Sequence, residues 1–93
     1  MTTITYARNN AYHFVLVADE WTAQWYICDG GEDFPILDDE ESAGAYLDWI
    51  ADYAVNFCGQ YHETERYENE SAEEFHDRLL EGGDEVLAQV SVY

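Results

Sequence analysis

The sequence contains no lysine, and its only permanently cationic side chains are Arg8, Arg66 and Arg78. Against them stand 21 Asp and Glu residues, which give a formal net charge of −18 at pH 7. Binding to DNA, RNA or an anionic membrane draws on contacts between Lys or Arg side chains and phosphate groups. The shortage of cations therefore argues against all three as direct ligands and favours a basic protein as the partner.

Cysteine is also scarce, since Cys28 and Cys58 are the only two and lie far apart in the sequence. The N-terminus shows no basic segment followed by an apolar one, as a secretion signal would. We therefore expect a cytoplasmic protein with free thiols. No apolar run reaches the roughly 18 residues of a membrane span, so we also expect a soluble protein.

Apolar residues are abundant enough for folding. Hydrophobic residues make up 47% of the 93 residues, and aromatic residues make up 16%. Disordered chains, in contrast, combine high charge with few aromatic residues. A chain of this length builds one hydrophobic core, so we expect a single acidic domain over 1–93.

The first part of the chain has the alternation of β-strands. Segments 2–7, 12–17 and 22–28 are rich in β-branched and aromatic residues and are separated by Asn, Asp and Glu. Segment 34–37 contains the single proline, Pro35, and can form a short strand only at a sheet edge. The pattern predicts four successive strands.

Two later segments have helical periodicity. Residues 40–57 follow a candidate N-cap, Asp38 or Asp39, and their apolar stripe comprises Ala43, Tyr46, Leu47, Ile50, Ala54 and Phe57. Ser71 and Glu74 have the spacing of a capping box, which predicts a second helix over 72–81.

The remaining segments complete the predicted fold. Residues 62–69 have no clear period and are predicted to be a loop, whereas 86–92 alternates like a strand, with Val86, Ala88, Val90 and Val92 on one face. The predicted class is α+β, a small antiparallel sheet of four to five strands with two helices on one face, in the order ββββααβ.

Metal sites find little support in the sequence. Cys58 and His62 have a C-x3-H spacing, but structural zinc sites show two close ligand pairs, and only distant residues could complete this one, namely Cys28, His13 and His76. Segment 29–40 has acids at some positions of a calcium loop but carries Phe34 where the sharp turn needs glycine. We predict no metal and no cofactor.

Catalytic chemistry is equally weakly indicated. A nucleophilic cysteine needs a neighbouring positive group, and the chain offers acids almost everywhere. Cys28 and Cys58 are therefore interpreted as small buried hydrophobic residues. We predict that the protein is not an enzyme.

The carboxylates are the candidate functional groups. With aromatic residues set among them, they are predicted to form one continuous partner-binding face, and the chosen acids are Glu40, Glu41, Asp48, Asp52, Glu63, Glu65, Glu68, Glu70, Glu73, Glu74 and Asp77. The aromatic residues are Trp21, Trp49, Tyr53, Tyr61 and Tyr67. Duplex DNA carries roughly one negative charge per 1.7 Å of its axis, and closely spaced carboxylates present a comparable field.

In length, charge and aromatic content the chain resembles the small acidic DNA-mimic proteins of bacteriophages, the anti-CRISPR and anti-restriction proteins. Segment 45–52, with acids leading into it, resembles the acidic helix of an anti-CRISPR that blocks a type I surveillance complex. The resemblance implies an inhibitor that occupies the basic DNA-binding or PAM-reading surface of a CRISPR effector complex. Such a protein would act in the cytoplasm of the infected bacterial host.

Two other interpretations stay open. A solvated acidic face confers solubility, and a halophilic protein uses acids for this purpose at high salt. An acidic adaptor domain would dock on a basic protein without resembling DNA. For the oligomeric state we expect a monomer or a weak homodimer, because a sheet edge near Thr2 or Val86 would support pairing while charge repulsion opposes it.

Overall fold

A computed structural model describes residues 2–51, 61–80 and 84–92, and for 61–63 the backbone alone. These residues form five strands, β1 (Thr2–Arg8), β2 (His13–Ala18), β3 (Thr22–Ile27), β4 (Tyr61–Glu65) and β5 (Glu85–Val92). They also form two helices, α1 (Glu40–Ile50) and α2 (Ala72–Leu79). The strands make one sheet in the order β4-β3-β2-β1-β5, in which every neighbouring pair is antiparallel.

Two side-chain turns set the register of the first three strands. Asn9 and Asp19 each accept two backbone N–H groups from the turn that follows, at 2.7 to 3.0 Å. Such turns close a hairpin by replacing backbone hydrogen bonds with a side-chain acceptor. As a result Val15 in β2 lies opposite Tyr6 in β1 and Tyr26 in β3.

The two helices cover opposite faces of the sheet. The buried side of α1, from Ala43 to Ile50, packs against one face, which includes Ile4, Tyr6, Val15, Val17, Tyr26 and Cys28. Helix α2 packs Phe75 and Leu79 against the intervening strand positions, which are Ala7, Phe14, Leu16, Ala18 and Ala23. Successive side chains of a strand point to opposite faces, so β1 and β2 contribute to both cores.

The α+β class is confirmed, as are an antiparallel sheet of five strands and two helices. The prediction that both helices lie on one face is corrected. Strand β2 is apolar at every position from Phe14 to Ala18, and all of these side chains are buried. A strand that is apolar on both sides needs a cover on each face, and the two helices supply one cover each.

The position of the fourth strand is also corrected. Segment 34–37 is not a strand, and β4 instead begins at Tyr61 and covers residues 62–65 of the predicted loop 62–69. The observed order is therefore βββαβαβ. Among the described residues β4 pairs with β3 alone and lies at an edge of the sheet, where charged side chains such as that of Glu65 are common.

Both helices begin at predicted caps. The Asp39 carboxylate accepts the N–H of Ser42 at 2.8 Å. The Ser71 hydroxyl accepts the N–H of Glu74 at 3.1 Å, and the Glu74 carboxylate accepts the N–H of Ser71 at 3.2 Å. A side-chain N-cap of this kind stabilises a helix by about 1 kcal/mol.

The predicted helix ends are tested only in part. Helix α1 is described to Ile50, and the stripe residues Ala54 and Phe57 lie outside the described residues. Helix α2 lies within the predicted range 72–81, of which residue 81 is outside the described residues. Neither helix is long and apolar enough, over the part of the chain described, to cross a membrane.

Strand β5 contains a bulge that its sequence pattern does not predict. Tyr6 pairs with Ala88, whereas Ala7 pairs with Val86, so Leu87 is an extra residue. Leu87 is buried between the sheet and α1, in what we call the α1-side core, and Val86 is 42% exposed. Because a bulge shifts the alternation by one residue, the prediction that Val86 shares a face with the later valines is wrong.

Candidate acidic interaction surface

The segment between β3 and α1 is tied to the α1-side core by two tyrosine hydroxyl groups. The Tyr6 hydroxyl donates to the carbonyl oxygen of Pro35 and accepts the N–H of Leu37, both at 2.7 Å. The Tyr46 hydroxyl donates to the carbonyl oxygen of Asp33. Burial raises the pKa of both phenols, so both remain protonated donors at neutral pH.

Apolar contacts and one glycine complete this support. The Phe34 ring stacks on Tyr26 with 5.4 Å between ring centroids, and Phe34 packs against the core. Gly30 has a φ of 88°, a value that residues with a Cβ rarely adopt. Its N–H donates to the Phe34 carbonyl at 3.1 Å. The backbone of the segment is therefore fixed by contacts with the α1-side core.

The acids of the same segment face solvent. We define the acidic loop surface as seven exposed residues, Asp29, Glu32, Asp33, Asp38, Asp39, Glu40 and Glu41. The N–H of Ser42 donates to the Asp39 carboxylate and lowers its pKa. Asp48, one of the predicted acids, is also exposed on α1.

Arg8 is held beside this surface by two of the acids of the chain. Its Nε donates to Glu85 Oε2 at 3.0 Å, and its Nη1 lies 3.5 Å from Asp38 Oδ1. The hydrogen bond to Glu85 raises the pKa of the guanidinium group. The positive charge of Arg8 is thereby compensated within the fold.

The other two arginines are engaged near α2. Arg78 donates to both carboxylate oxygens of Glu70, at 2.9 and 3.0 Å, and lies 4.0 Å from the centroid of the Tyr67 ring. The guanidinium carbon of Arg66 lies 3.5 Å from the centroid of the Trp21 ring. All three arginines thus contact side chains of their own protein, and carboxylates dominate the field outside it.

The predicted site acids fall into two groups. Glu40, Glu41 and Asp48 are exposed on α1, whereas the group around α2 comprises Glu65, Glu68, Glu73, Glu74 and Asp77. Because α1 and α2 cover opposite faces of the sheet, the two groups do not share one face of the protein. The expectation of one continuous face is corrected, while the partner-binding role of each group stays a prediction.

Three predicted acids differ from the rest. The Glu70 side chain is only 10% exposed, and its hydrogen bonds from Arg78 lower its pKa, so it acts as an internal ion-pair partner. Glu63 lies in β4, where only its backbone is described, and Asp52 lies outside the described residues.

The sequence-based choice missed five members of the acidic loop surface, namely Asp29, Glu32, Asp33, Asp38 and Asp39. The available signal was the density of acids between 29 and 41. The sequence predicts a short edge strand and a helix N-cap in that segment, and its acids were compared only with those of a calcium loop. Exposure of its carboxylates, with Phe34 and Leu37 packed on the core, becomes visible only when the segment is placed on the sheet.

Three of the predicted aromatic residues are exposed. Trp49 on α1 is 62% exposed and lies beside Asp48 in the sequence. Tyr67 is 60% exposed and Trp21 is 59% exposed, but both carry an arginine over the ring. Of the remaining two, Tyr53 lies outside the described residues and Tyr61 is described by its backbone alone.

The described residues offer little reactive chemistry. Cys28 is a free, buried thiol, and burial raises its pKa to about 11. The prediction that Cys28 is a small buried residue is confirmed, and Cys58 lies outside the described residues. No group of three or more His, Cys, Asp or Glu side chains is placed to hold a metal ion in the ranges that the structure describes.

Fold and surface together define a small α+β protein whose main exposed feature is acidic. Comparisons of the chain with protein-family models, with curated proteins and with solved structures found no match. A function for this protein is therefore inferred from the charges and contacts of its own residues.

Proposed function

We propose that this protein is a DNA-mimic inhibitor, which binds the basic DNA-binding surface of another protein and thereby excludes DNA. The observation that carries the proposal is the acidic loop surface, a run of exposed carboxylates from Asp29 to Glu41. The three arginines, which would weaken its field, each contact other side chains of the protein.

The charge density of the acidic loop surface supports this function. Residues 38–41 are four consecutive acids, and consecutive Cα atoms of a chain are about 3.8 Å apart. Duplex DNA carries roughly one charge per 1.7 Å of its axis, so the two fields are of the same order. A surface of this kind attracts a lysine- and arginine-lined channel over a distance and speeds association.

The anchoring of the loop supports a preformed site. Tyr6 and Tyr46 hold its backbone through hydrogen bonds, and Phe34 and Leu37 pack on the core. A segment that is ordered before binding loses less conformational entropy when it binds. The carboxylates are therefore presented to a partner without a folding step.

Trp49 is the aromatic residue best placed to add specificity. It is 62% exposed and lies on α1, the helix that begins with Glu40 and Glu41. Tryptophan residues that become fully desolvated in an interface often supply much of the binding energy. Charge would then govern the approach of the partner, and Trp49 would govern which basic surface is retained.

We further propose that the partner belongs to a bacterial defence system, with a CRISPR effector complex as the first candidate and a restriction enzyme as the second. This step rests on the likeness in size, charge and aromatic content to phage DNA-mimic proteins. The inhibitor would act in the bacterial cytoplasm.

A competition assay tests the proposal. A labelled DNA duplex is bound to a purified type I surveillance complex, and the protein is added at low and at high salt. We expect displacement of the DNA at low salt that weakens as salt screens the charges. Failure to displace DNA from this complex, and from a panel of restriction enzymes, would refute the proposed inhibitory function.

Matched charge variants test the surface. Glu32→Gln/Glu40→Gln/Glu41→Gln removes three charges from the acidic loop surface, and Glu68→Gln/Glu73→Gln/Asp77→Asn removes three from the α2 side. We expect the first variant to bind at least about tenfold more weakly, which corresponds to about 1.4 kcal/mol, and the second to change binding much less. Equal losses would mean that net charge alone drives binding, without a defined site.

Circular dichroism addresses the two open alternatives. A halophilic protein would fold only in molar salt, whereas a DNA mimic folds at low salt. An acidic adaptor would fold at low salt and bind a basic protein without competing with its DNA.

A further inference from the structure

Strand β5 forms one edge of the sheet, and Glu85 at its start is its only charged residue. Residues 86–92 carry no charged side chain, although the chain has 21 acids. Strand β4 at the opposite edge includes Glu63 and Glu65 among its five residues. Edge strands expose unpaired backbone groups, and proteins discourage pairing there with charges or proline. Strand β4 has this protection, and β5 beyond its bulge does not.

We propose that β5 pairs with β5 of a second copy of this chain and forms a homodimer. Within the described ranges, no strand pairs with β5 on the side away from β1. The bulge at Leu87 limits regular pairing to residues 88–92. An antiparallel arrangement centred on Val90 places these residues of the two copies side by side and continues the sheet across the seam.

This register matches side chains by type. Ala88 lies opposite Val92 of the second copy, and Gln89 lies opposite Ser91 of the second copy. Directly opposed residues of antiparallel strands share a face. Apolar residues thus meet on the side covered by α1, and polar residues meet on the other side.

Charge explains why the second strand is another β5. The strand is self-complementary, because no charged residue opposes another within 88–92. Glu85 lies before the paired region and is hydrogen-bonded to Arg8 at 3.0 Å. Self-pairing of β4 about its centre would instead oppose Glu63 with Glu63 of the second copy, and like charges in that position are destabilising.

The dimer should be weak and should be strengthened by salt. A seam of five residues per copy buries far less surface than the roughly 1,200–2,000 Å² that stable interfaces bury. Two copies of net charge −18 repel each other, and salt screens this repulsion. The proposed binding to a basic partner has the opposite salt dependence, so the two proposals can fail independently.

Sedimentation equilibrium at protein concentrations up to about 1 mM tests the inference. We compare about 0.01 M with about 1 M NaCl, which shortens the Debye length from about 30 Å to about 3 Å. The edge variant is Gln89→Glu/Ser91→Glu, and the control, Thr64→Glu/Asn69→Glu, adds two charges on the β4 side. We expect a dimer at high salt, a dissociation constant at least about tenfold larger in the edge variant, and less than about twofold change in the control.

Hydrogen exchange identifies the surface. Amides of β5 should exchange more slowly as the protein concentration rises at high salt, while those of β4 should not change. A wild-type protein that stays monomeric throughout would overturn the inference, and so would an edge variant that dimerises like the wild type. If β5 instead pairs with a strand of a different protein, the purified wild-type protein would stay monomeric.

Discussion

The hydroxyl group of Tyr6, in the first strand, donates a 2.7 Å hydrogen bond to the carbonyl oxygen of Pro35. The two residues are distant in the sequence, and the same hydroxyl also accepts the N–H of Leu37. One buried phenol therefore satisfies two backbone groups of the segment that carries the acidic loop surface. The hydroxyl couples the core of the sheet to the position of the carboxylates.

Removal of this hydroxyl should loosen the loop without changing any charge. Tyr6→Phe leaves the part-buried Pro35 carbonyl and Leu37 N–H without this partner, and an unsatisfied group costs about 1–3 kcal/mol when fully buried and less where water reaches it. We expect a lower free energy of unfolding in urea and weaker competition with DNA. Tyr12→Phe, at a position that is 42% exposed, is the control and should change both little. Unchanged stability of Tyr6→Phe would show that the hydroxyl does not hold the loop.

The ion pair of Glu70 with Arg78 should make stability depend on pH. Hydrogen bonds from Arg78 lower the Glu70 pKa from its ordinary value near 4.5. A carboxyl with a lowered pKa stabilises the fold above its unfolded pKa, and this contribution is lost as the pH falls through the folded pKa. Glu70→Gln should therefore lower the melting temperature at pH 7, and the difference from wild type should close below pH 4.5.

Glu73→Gln is the control for this pH effect, because Glu73 is exposed on α2. Its melting temperature should follow that of the wild type across the pH range. A constant gap between Glu70→Gln and wild type down to strongly acidic pH would contradict a role for the charge of Glu70.

Cys28 should be unreactive in the folded protein. The residue is 6% exposed, and burial raises the pKa of its thiol to about 11, so very little thiolate forms near pH 8. In a Cys58→Ser variant, the remaining thiol should react with a disulfide reagent at least about a hundredfold more slowly than an exposed thiol. Unfolding in urea should restore the ordinary rate. Fast reaction of the folded variant would mean that the α1-side core opens readily.

Phe75 tests the second core, on the α2 side of the sheet. Its side chain is fully buried, and replacing a buried phenylalanine by alanine costs about 3–5 kcal/mol. This is a large part of the 5–15 kcal/mol that stabilises a typical domain. Phe75→Ala should therefore unfold at much lower urea concentration, whereas Ile36→Ala, at a 50% exposed position, should change the midpoint little. Similar midpoints for both variants would mean that α2 does not bury Phe75 against the sheet.

The candidate site was predictable only in its chemical character. The excess of Asp and Glu is visible in the composition, and the exposure of Glu40, Glu41 and Asp48 follows from the apolar stripe of α1. The grouping of acids depends instead on which face of the sheet each helix covers. Because the two helices cover opposite faces, the acids of α1 lie apart from those of α2 and are grouped with the acids of the preceding loop.

Local physical chemistry allowed the sequence alone to determine the charge, the first three strands and the two helix caps. A cap such as Asp39 or Ser71 depends on neighbours three residues away, and a turn such as that at Asn9 depends on the next few residues. Tertiary structure decided which face each helix covers, the pairing of β4 with β3 and the bulge at Leu87. These features depend on burial and hydrogen bonding between segments far apart in the chain, and a local sequence pattern carries no record of such partners.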